Sequence, residues 1–375
     1  MSERPLVMIT GGGTGGHVYP ALAIAEGLRP WAEVVYVGDA RKLEARVVPE
    51  RGWPFIGLVT QPFPRRGGLS LLGFLPRLVW NVGRCLKLLH RYRPQLVIGV
   101  GGYVSVPLIV AAGMRRIPVV LHEQNVRPGA ANLQLQRYAS LILLSYEGAR
   151  NYFRAPCPIL LTGCPVNPDL KAVSRAEARE RLGLESSGRV VLVVGGSGGA
   201  EALNSAVVEM LPLLAPRPTD LFIYHITGPR YFDAVARQIA ELKLPEATEG
   251  FYRAVPYSDE IQYPYAAADL IVCRAGSATL SEITALGLPA ILVPSPNVTD
   301  NHQEINAREL ASHGAAEVLL EAELTGKTLL AAISCLCGDA SRLARMSAAS
   351  RALAREDAQA EIVRLLKPLL ERGNR

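Results

Sequence analysis

Between Glu50 and Glu123 the sequence has no Asp or Glu, although ten Lys or Arg fall in the same interval. That gap excludes a balanced surface and points to an anionic partner: nucleic acid, a membrane surface or a phosphorylated substrate. Aromatics are scarce at 6%, which leaves little for base stacking and argues against nucleic acid. The 6 cysteines form no Cys-x-x-Cys pair, and no His-x-x-x-His, His-Glu-x-x-His or Asp-x-Asp occurs. No metal site and no resident cofactor is therefore expected, and the cysteines read as reduced thiols. Long apolar runs are missing as well. The longest uncharged stretch, Pro94–Met114, is broken by Gly99, Gly101, Gly102 and Pro107, so it reads as strand, loop and helix rather than a membrane span. The opening MSERPLVMIT runs into glycines before a signal-peptide core can form.

What is present is alternation. At 49% hydrophobic and 20% charged the chain is globular, and 375 residues allow two or three domains. Apolar strand-like runs (LVMIT, EVVYVG, QLVIGV, PVVLHE, RVVLVVGG, DLIVCR) alternate with stretches of helical length, the rhythm of parallel sheets with crossover helices. LVMITGGGTGGHVYPALAIAEGL and RVVLVVGGSGGAEALNSAVVEML both read strand, glycine-rich turn, helix. They predict an α/β protein of two Rossmann-like, doubly wound domains. The first is expected over 1–164 plus 356–375 and the second over 165–355, joined at the Pro/Gly-rich LTGCPVNP. Residues 1–160 hold 19 Lys and Arg against 8 Asp and Glu, a net +11, while the whole chain is only +6. The anionic partner therefore belongs to the first domain.

Each glycine turn suits chemistry at a helix start. In Gly11–His17, backbone N–H groups can approach an anion, and His17 in the first turn suits a neutral general base because the positive helix end disfavours its cation. The string also contains G-x-G-x-x-G, and Asp39 ends the next strand where a dinucleotide's ribose would need an acid. Gly99–Ser105 repeats the strand-to-glycine pattern. His122-Glu123-Gln124-Asn125 places four polar residues at a strand end, where parallel sheets bind ligands. In the second domain Gly195–Gly199, with Ser197, suits a diphosphate and is not followed by the Lys-Ser or Lys-Thr of a Walker loop. Glu282 falls in the first turns after CRAGSATL, where a carboxylate can accept from two vicinal sugar hydroxyls. Asp300–Glu304 opens a helix after a Pro-rich loop, with Asp300 as the expected cap.

GGGTGGHVYPALAIA, GVGGYVSVP, PVVLHEQN, LVVGGSGGAEALN, CRAGSATLSEITALGLPAILVP and DNHQEINA, in this order over about residues 6–370, resemble the signature blocks of the MurG family of two-domain (GT-B) glycosyltransferases. That resemblance implies two domains facing a cleft and a transfer of N-acetylglucosamine from UDP-N-acetylglucosamine to an undecaprenyl-linked muramoyl-pentapeptide, in peptidoglycan synthesis. It implies donor contacts from Thr14, Gly15, Gly16 and Asn125 in the first domain. In the second it implies Ser197 at the diphosphate, Ser258 at the uracil, and Ser277, Ala278, Thr279, Leu280, Ser281 and Glu282 around the nucleoside. Glu282 would meet the ribose and Gln303 the sugar. The acceptor would lie near Gly101, Gly102, Tyr103 and Ser105, with His17 as base and Glu123 in reserve. One string departs from the family pattern: Gly163-Cys164-Pro165-Val166-Asn167 carries Cys164 and Asn167 where the family usually has Asn and Arg. Asn167 is carried over as a donor contact, and the missing Arg is expected to weaken that contact unless another cation serves.

A membrane contact follows from the residues themselves. Pro76 can start a helix on which Arg77, Trp80, Arg84, Lys87 and Arg91 share one face, and Leu75, Leu78, Val82, Leu86 and Leu89 the other, toward the core. Gly67–Leu75, containing Leu71, Leu72 and Phe74, reads as an apolar loop beside Arg65 and Arg66. Apolar residues ringed by cations suit an anionic lipid surface; the resemblance implies that this is the cytoplasmic face of the inner membrane, with peripheral attachment. The alternatives are a relative with another lipid acceptor, a sugar-nucleotide epimerase, a silent sugar-nucleotide sensor, and a nicotinamide oxidoreductase; the last leaves the second domain's motifs without a role.

Overall fold

The computed structural model describes residues 4–62, 69–185, 187–196, 198–214, 221–242, 250–355 and 357–372. The chain divides into two compact units, Met1–Val166 with Arg355–Arg375, and Asn167–Ala354. The first crossing thus falls two residues later than the sequence suggests.

In the first unit the order is β1 (Leu6–Thr10), α1 (Gly15–Leu28), β2 (Glu33–Asp39), α2 (Glu44–Glu50), β3 (Phe55–Leu58), α3 (Leu69–Tyr92), β4 (Leu96–Gly99), α4 (Val106–Met114), β5 (Val119–Glu123), α5 (Ala130–Leu135), β6 (Leu141–Leu144) and β7 (Ile159–Leu161). All strands pair in parallel in the order β3-β2-β1-β4-β5-β6-β7. Alternate residues of a strand enter opposite layers. Val7 and Ile9 join a core with Leu22 and Ile24 of α1, while Met8 joins one with Cys85 and Leu89 of α3 and Leu108 of α4. Burial on both faces is what makes these strands read as unbroken apolar runs.

The second unit runs α6 (Arg175–Arg181), β8 (Arg189–Val194), α7 (Glu201–Met210), β9 (Leu221–Ile226), α8 (Phe232–Glu241), β10 (Tyr252–Val255), α9 (Gln262–Ala267), β11 (Leu270–Cys273), α10 (Ser277–Leu286), β12 (Ala290–Leu292), α11 (His302–Ser312), β13 (Ala316–Val318), α12 (Gly326–Cys337) and α13 (Ala340–Leu353). Its strands are again parallel, in the order β10-β9-β8-β11-β12-β13. The closing helix α14 (Ala358–Arg372) returns to the first unit. There Ile362, Val363, Leu366 and Leu370 share the core of α1, and the Gln359 amide donates to the Ala23 carbonyl at 2.6 Å.

Strand order reverses between β1 and β4 in the first sheet and between β8 and β11 in the second. These are the switch points at which open parallel sheets part at their carboxyl edge to admit a ligand. Each of the four loops there is rich in glycine or small residues: 11–14, 100–105, 195–200 and 274–276.

Two expectations about α3 are corrected. The helix begins at Leu69, so Pro76 lies inside it and 69–75 is helix rather than loop; residues 63–68 and the side chains of Leu71 and Leu72 lie outside the described residues. Leu75 is 54% exposed, not turned to the core, whereas Val82 and Leu86 pack against the core and Leu89 is buried in it, as the spacing predicts. The buried stripe is Asn81, Cys85 and Leu89, set by the Asn81 amide donating to the Val59 carbonyl at 2.8 Å. Rotating the helix to that contact leaves Leu75, Val79 and Trp80 outside, beside Arg77, Arg84 and Lys87. Among the described residues no helix is long and apolar enough to cross a membrane.

Candidate active site

In the first unit β1 delivers the chain into Gly11–Thr14, and α1 starts at Gly15. The Tyr36 hydroxyl donates to the Gly11 carbonyl at 2.8 Å, and the buried Glu44 carboxylate accepts from the N–H groups of Gly13 (3.2 Å) and Asp39 (3.0 Å). A Cβ on Gly12 would collide with that carboxylate, so glycine is needed for the approach. The loop after β4 closes on the first one. Gly101 and Gly102 have φ of +93° and +79°, and side chains there would meet His17 and the Gly12 carbonyl respectively. The His17 ring is thereby laid against bare backbone, and its Nδ1 lies 3.1 Å from the Thr14 hydroxyl. Tyr103 is half-buried near Gly13, and the Ser105 hydroxyl turns back to the Gly102 carbonyl at 2.7 Å.

Asp39 is not a ribose acid. It is fully buried and accepts from Arg41, the Thr60 N–H and the Thr60 hydroxyl. Burial alone would raise its carboxyl, but the donors from Arg41 and Thr60 outweigh it and hold the group well below the usual range. This removes the feature that supported a dinucleotide.

The polar end of β5 forms a second layer. Glu123 is buried and accepts four hydrogen bonds: from the Asn125 N–H (3.0 Å) and side chain (3.1 Å), from the Gly129 N–H (3.1 Å) and from Asn132 (2.9 Å). Burial pushes its carboxyl up while these donors pull it down. Such a carboxylate is built to fix Asn125 and the loop to Gly129. Asn132, on α5, bridges the layers, because a Cβ on Gly101 would stand 3.6 Å from its amide nitrogen. The sequence reading missed it; Asn in the apolar run AANLQL is the only sign it left. His122 Nε2 lies 3.0 Å from the Gly163 carbonyl and Nδ1 accepts from Gln124 at 2.8 Å, so burial keeps the ring neutral, at about 4.

In the second unit a cavity of about 560 Å3 opens at the carboxyl edge between β8 and β11. Gly195, Gly199, Arg274, Ser295, Gln303 and Glu321 line it. Gly196 and Gly199 have φ of +89° and +75°, and Gly199 packs so closely on Thr227 and Gly228 that no side chain fits. Ser197 lies outside the described residues. The Gln303 side-chain oxygen accepts from the Ser295 N–H at 2.9 Å, which leaves its amide N–H groups to donate. Arg274 directly follows β11, pairs with Glu321 and donates to the Val293 carbonyl at 3.1 Å. Arg274 is a cation on the cavity wall that the sequence reading did not single out. Its position just past a strand end in CRAGS could have revealed it.

Ser277, Ala278, Thr279 and Leu280 form the first turn of α10, with Ser281 and Glu282 next. The Leu280 side chain is buried in the core, so only its backbone is available. Glu282 is not on the cavity wall. Its carboxylate accepts from the Tyr265 hydroxyl at 2.8 Å, and burial pushes it up to about 7 against that bond. Ser258 is half-buried in the turn after β10. Asn167 is exposed and its side chain caps the next turn through the Asp169 N–H at 3.1 Å. Asp300 does not cap α11. Asp300 and Asn301 are both left-handed, at φ +55° and +51°, and Asn301 occupies the cap position. Among the described residues no three His, Cys, Asp or Glu are grouped to hold a metal ion.

Two parallel α/β units, each with small-residue loops and helix starts at its switch point, define the class of two-domain, GT-B glycosyltransferases. Residues 7–144 match the glycosyltransferase family 28 N-terminal domain and residues 190–362 its C-terminal domain. The UDP-N-acetylglucosamine--N-acetylmuramyl-(pentapeptide) pyrophosphoryl-undecaprenol N-acetylglucosamine transferase of Desulforudis audaxviator is 42% identical over 98% of this chain and all of its own. That of Halothermothrix orenii is 39% identical over 96% and 98%. The crystal structure of Acinetobacter baumannii MurG superposes with a TM-score of 0.77 at 28% identity, covering 97% of this chain and 99% of that one. The chain belongs to the MurG family. A UDP-GlcNAc 2-epimerase from Neisseria meningitidis shares the fold, at TM-score 0.66 and 14% identity.

Proposed function

We propose that the chain transfers N-acetylglucosamine from UDP-N-acetylglucosamine to the 4-hydroxyl of undecaprenyl-pyrophosphoryl-N-acetylmuramoyl-pentapeptide, inverting the anomeric centre. The single observation that carries this reading is the pairing, in one family member, of a His held over glycine backbone at one switch point with a Gly/Arg/Gln cavity at the other.

The second unit supplies the donor site. Backbone N–H groups of 195–199, the start of α7 and Arg274 receive the diphosphate. Gln303 donates to the sugar, the Glu282 carboxylate accepts from the ribose diol, and the first turn of α10 and Ser258 meet the nucleoside. Negative charge grows on UDP as the glycosidic bond breaks, and fixed donors at that position lower the barrier. The first unit supplies the base and the acceptor contacts. The 4-hydroxyl oxygen attacks the anomeric carbon as the bond to UDP breaks on the opposite face, and its proton passes to the His17 ring. Glu123 acts through Asn125 and Asn132 as a positioning residue. Gly101, Gly102 and Tyr103 approach the acceptor. The exposed Leu75, Val79 and Trp80 among Arg77, Arg84 and Lys87 dock the first unit on an anionic lipid surface, at the cytoplasmic face of the inner membrane.

The test is UDP release from UDP-N-acetylglucosamine with and without the lipid-linked acceptor. Release that requires the acceptor supports the reading. Release to water alone, or donor binding with no transfer, refutes it.

A further inference from the structure

A cavity of about 600 Å3 without an assigned role lies at the amino edge of the second unit's sheet, the edge opposite the donor loops. It is placed by residues that precede strands: Arg189 opens β8, Asp269 precedes β11 and Pro289 precedes β12. Among the described residues four cations line it, Lys171, Arg175, Arg189 and Arg351, and one acid, Asp269.

Asp269 is already saturated. Its two oxygens both accept from one terminal nitrogen of Arg175 (2.8 Å each), and it accepts also from Arg189 (3.3 Å), from the buried Arg179 (3.3 Å) and from the Val190 N–H (2.8 Å). One carboxylate cannot neutralise this many guanidinium groups, so among the described residues the wall carries more positive than negative charge. Arg351 is held at the rim by shape. Gly287 ends α10 at φ +65°, and the Arg351 stem lies where a side chain at 287 would be. The Ser347 hydroxyl pins α13 to the Gly287 carbonyl at 2.7 Å. The rest of the wall is apolar: Leu288, Pro289, Leu343 and Ala344. A concave site of this volume with convergent cations and an apolar floor is the form of a small-molecule pocket.

We propose that this cavity binds an amphiphilic phosphate, its phosphate on Lys171 and Arg351 with the Arg175–Arg189 pair behind, and its apolar part against Leu288 and Leu343. Occupancy is read at the donor site. Tyr265 lines this cavity and its hydroxyl bonds Glu282, so a ligand that moves Tyr265 changes what Glu282 offers a ribose, and donor binding changes ligand affinity by the same factor. This coupling, though not the binding itself, rests on the reading of Glu282 as a ribose contact.

The probe is monomeric octyl phosphate, titrated calorimetrically into the full chain with saturating UDP present, so that the donor site is filled. Saturable 1:1 binding is expected, weakened about tenfold for each cation removed in Lys171→Ala and Arg351→Ala. Octanol should bind at least about tenfold more weakly, because it lacks the charge. Ala344→Trp fills the pocket without touching the charges and should abolish binding, while the UDP affinity of Lys171→Ala and Arg351→Ala, measured without octyl phosphate, stays unchanged. Vesicles of phosphatidylcholine with phosphatidic acid form the second arm. A defect of the variants seen with octyl phosphate assigns a soluble ligand, and one seen only with vesicles assigns a lipid head group; either supports the site. No saturable binding, or binding that all three variants retain in both arms, overturns it. If octyl phosphate binds but leaves donor affinity unchanged, the site stands and the coupling through Tyr265 is wrong.

Discussion

The Tyr265 hydroxyl donates to Glu282 at 2.8 Å, while burial and that bond pull the carboxyl in opposite directions. Burial raises Glu282 to about 7, and the Tyr265 bond lowers it. A ribose diol needs the ionised form as its acceptor. Donor affinity should therefore be flat above about pH 7.5 and fall up to about tenfold per pH unit below 7. Because the donor favours the carboxylate, binding near pH 7 should release about half a proton. Titration calorimetry in buffers of different ionisation enthalpy reads both quantities. Tyr265→Phe leaves burial unopposed and should move the onset of the affinity loss to higher pH. A donor affinity constant from pH 6 to 8 would remove Glu282 from the ribose.

His17→Ala should lower turnover by about 10²–10⁴, the usual contribution of a positioned base, while donor affinity changes by no more than about twofold. Gly101→Ala tests the same ring from the other side. Its Cβ would stand 2.9 Å from the His17 ring, on a backbone at φ +93°, so it should displace the imidazole and cut turnover without removing any functional group. Single-turnover transfer at saturating donor separates chemistry from binding. Wild-type turnover in His17→Ala would exclude the ring as the base.

Arg274 carries two burdens that can be split. Removing its cation should weaken UDP binding by about 1.5–3 kcal/mol, the worth of a charge-assisted hydrogen bond. Arg274→Ala also leaves Glu321 without its ion pair and should lower the thermal midpoint. Arg274→Ala with Glu321→Gln should recover the midpoint but not UDP affinity. Recovery of both would make Arg274 a structural residue only.

The sheets and their switch points were legible because buried parallel strands write themselves as apolar runs, and because glycines mark where backbone approaches backbone. Gly101 and Gly102 needed no structure to be singled out. What lay against them did. Asn132 and Glu44 sit on short helices whose sequences look ordinary, and each becomes part of the site only when the chain brings it over a glycine loop. Asp39 misled for the complementary reason: a strand-end acid looks the same whether it awaits a ribose or is saturated by Arg41 and Thr60. The start of α3 was misplaced because Pro76 is tolerated in a first turn and was read as one. The periodicity contained Val82, Leu86 and Leu89 of its inner face but not Asn81, which is held there by a contact to the Val59 carbonyl.

Two buried histidines predict how each unit responds to acid. His122 in the first unit is lowered to about 4 by burial, partly offset by its bond to the Gly163 carbonyl. His225 in the second is lowered to about 3 by burial, between the Tyr252 hydroxyl and Asn204. Both folded values lie below the ordinary 6.5, so below pH 6.5 the unfolded chain binds protons that the folded chain refuses. Each histidine's contribution is complete above that pH and is lost, at up to about 1.4 kcal/mol per pH unit, as pH falls toward its folded value. The losses fall in different units, so a single transition is the wrong readout. Hydrogen exchange in β5 and β9 between pH 6.5 and 4.5 should show both units weakening. His122→Gln, which retains a donor and an acceptor but no titration, should flatten the slope in β5 and leave β9 unchanged. An unchanged slope in β5 would mean that His122 is not the group that senses acid there.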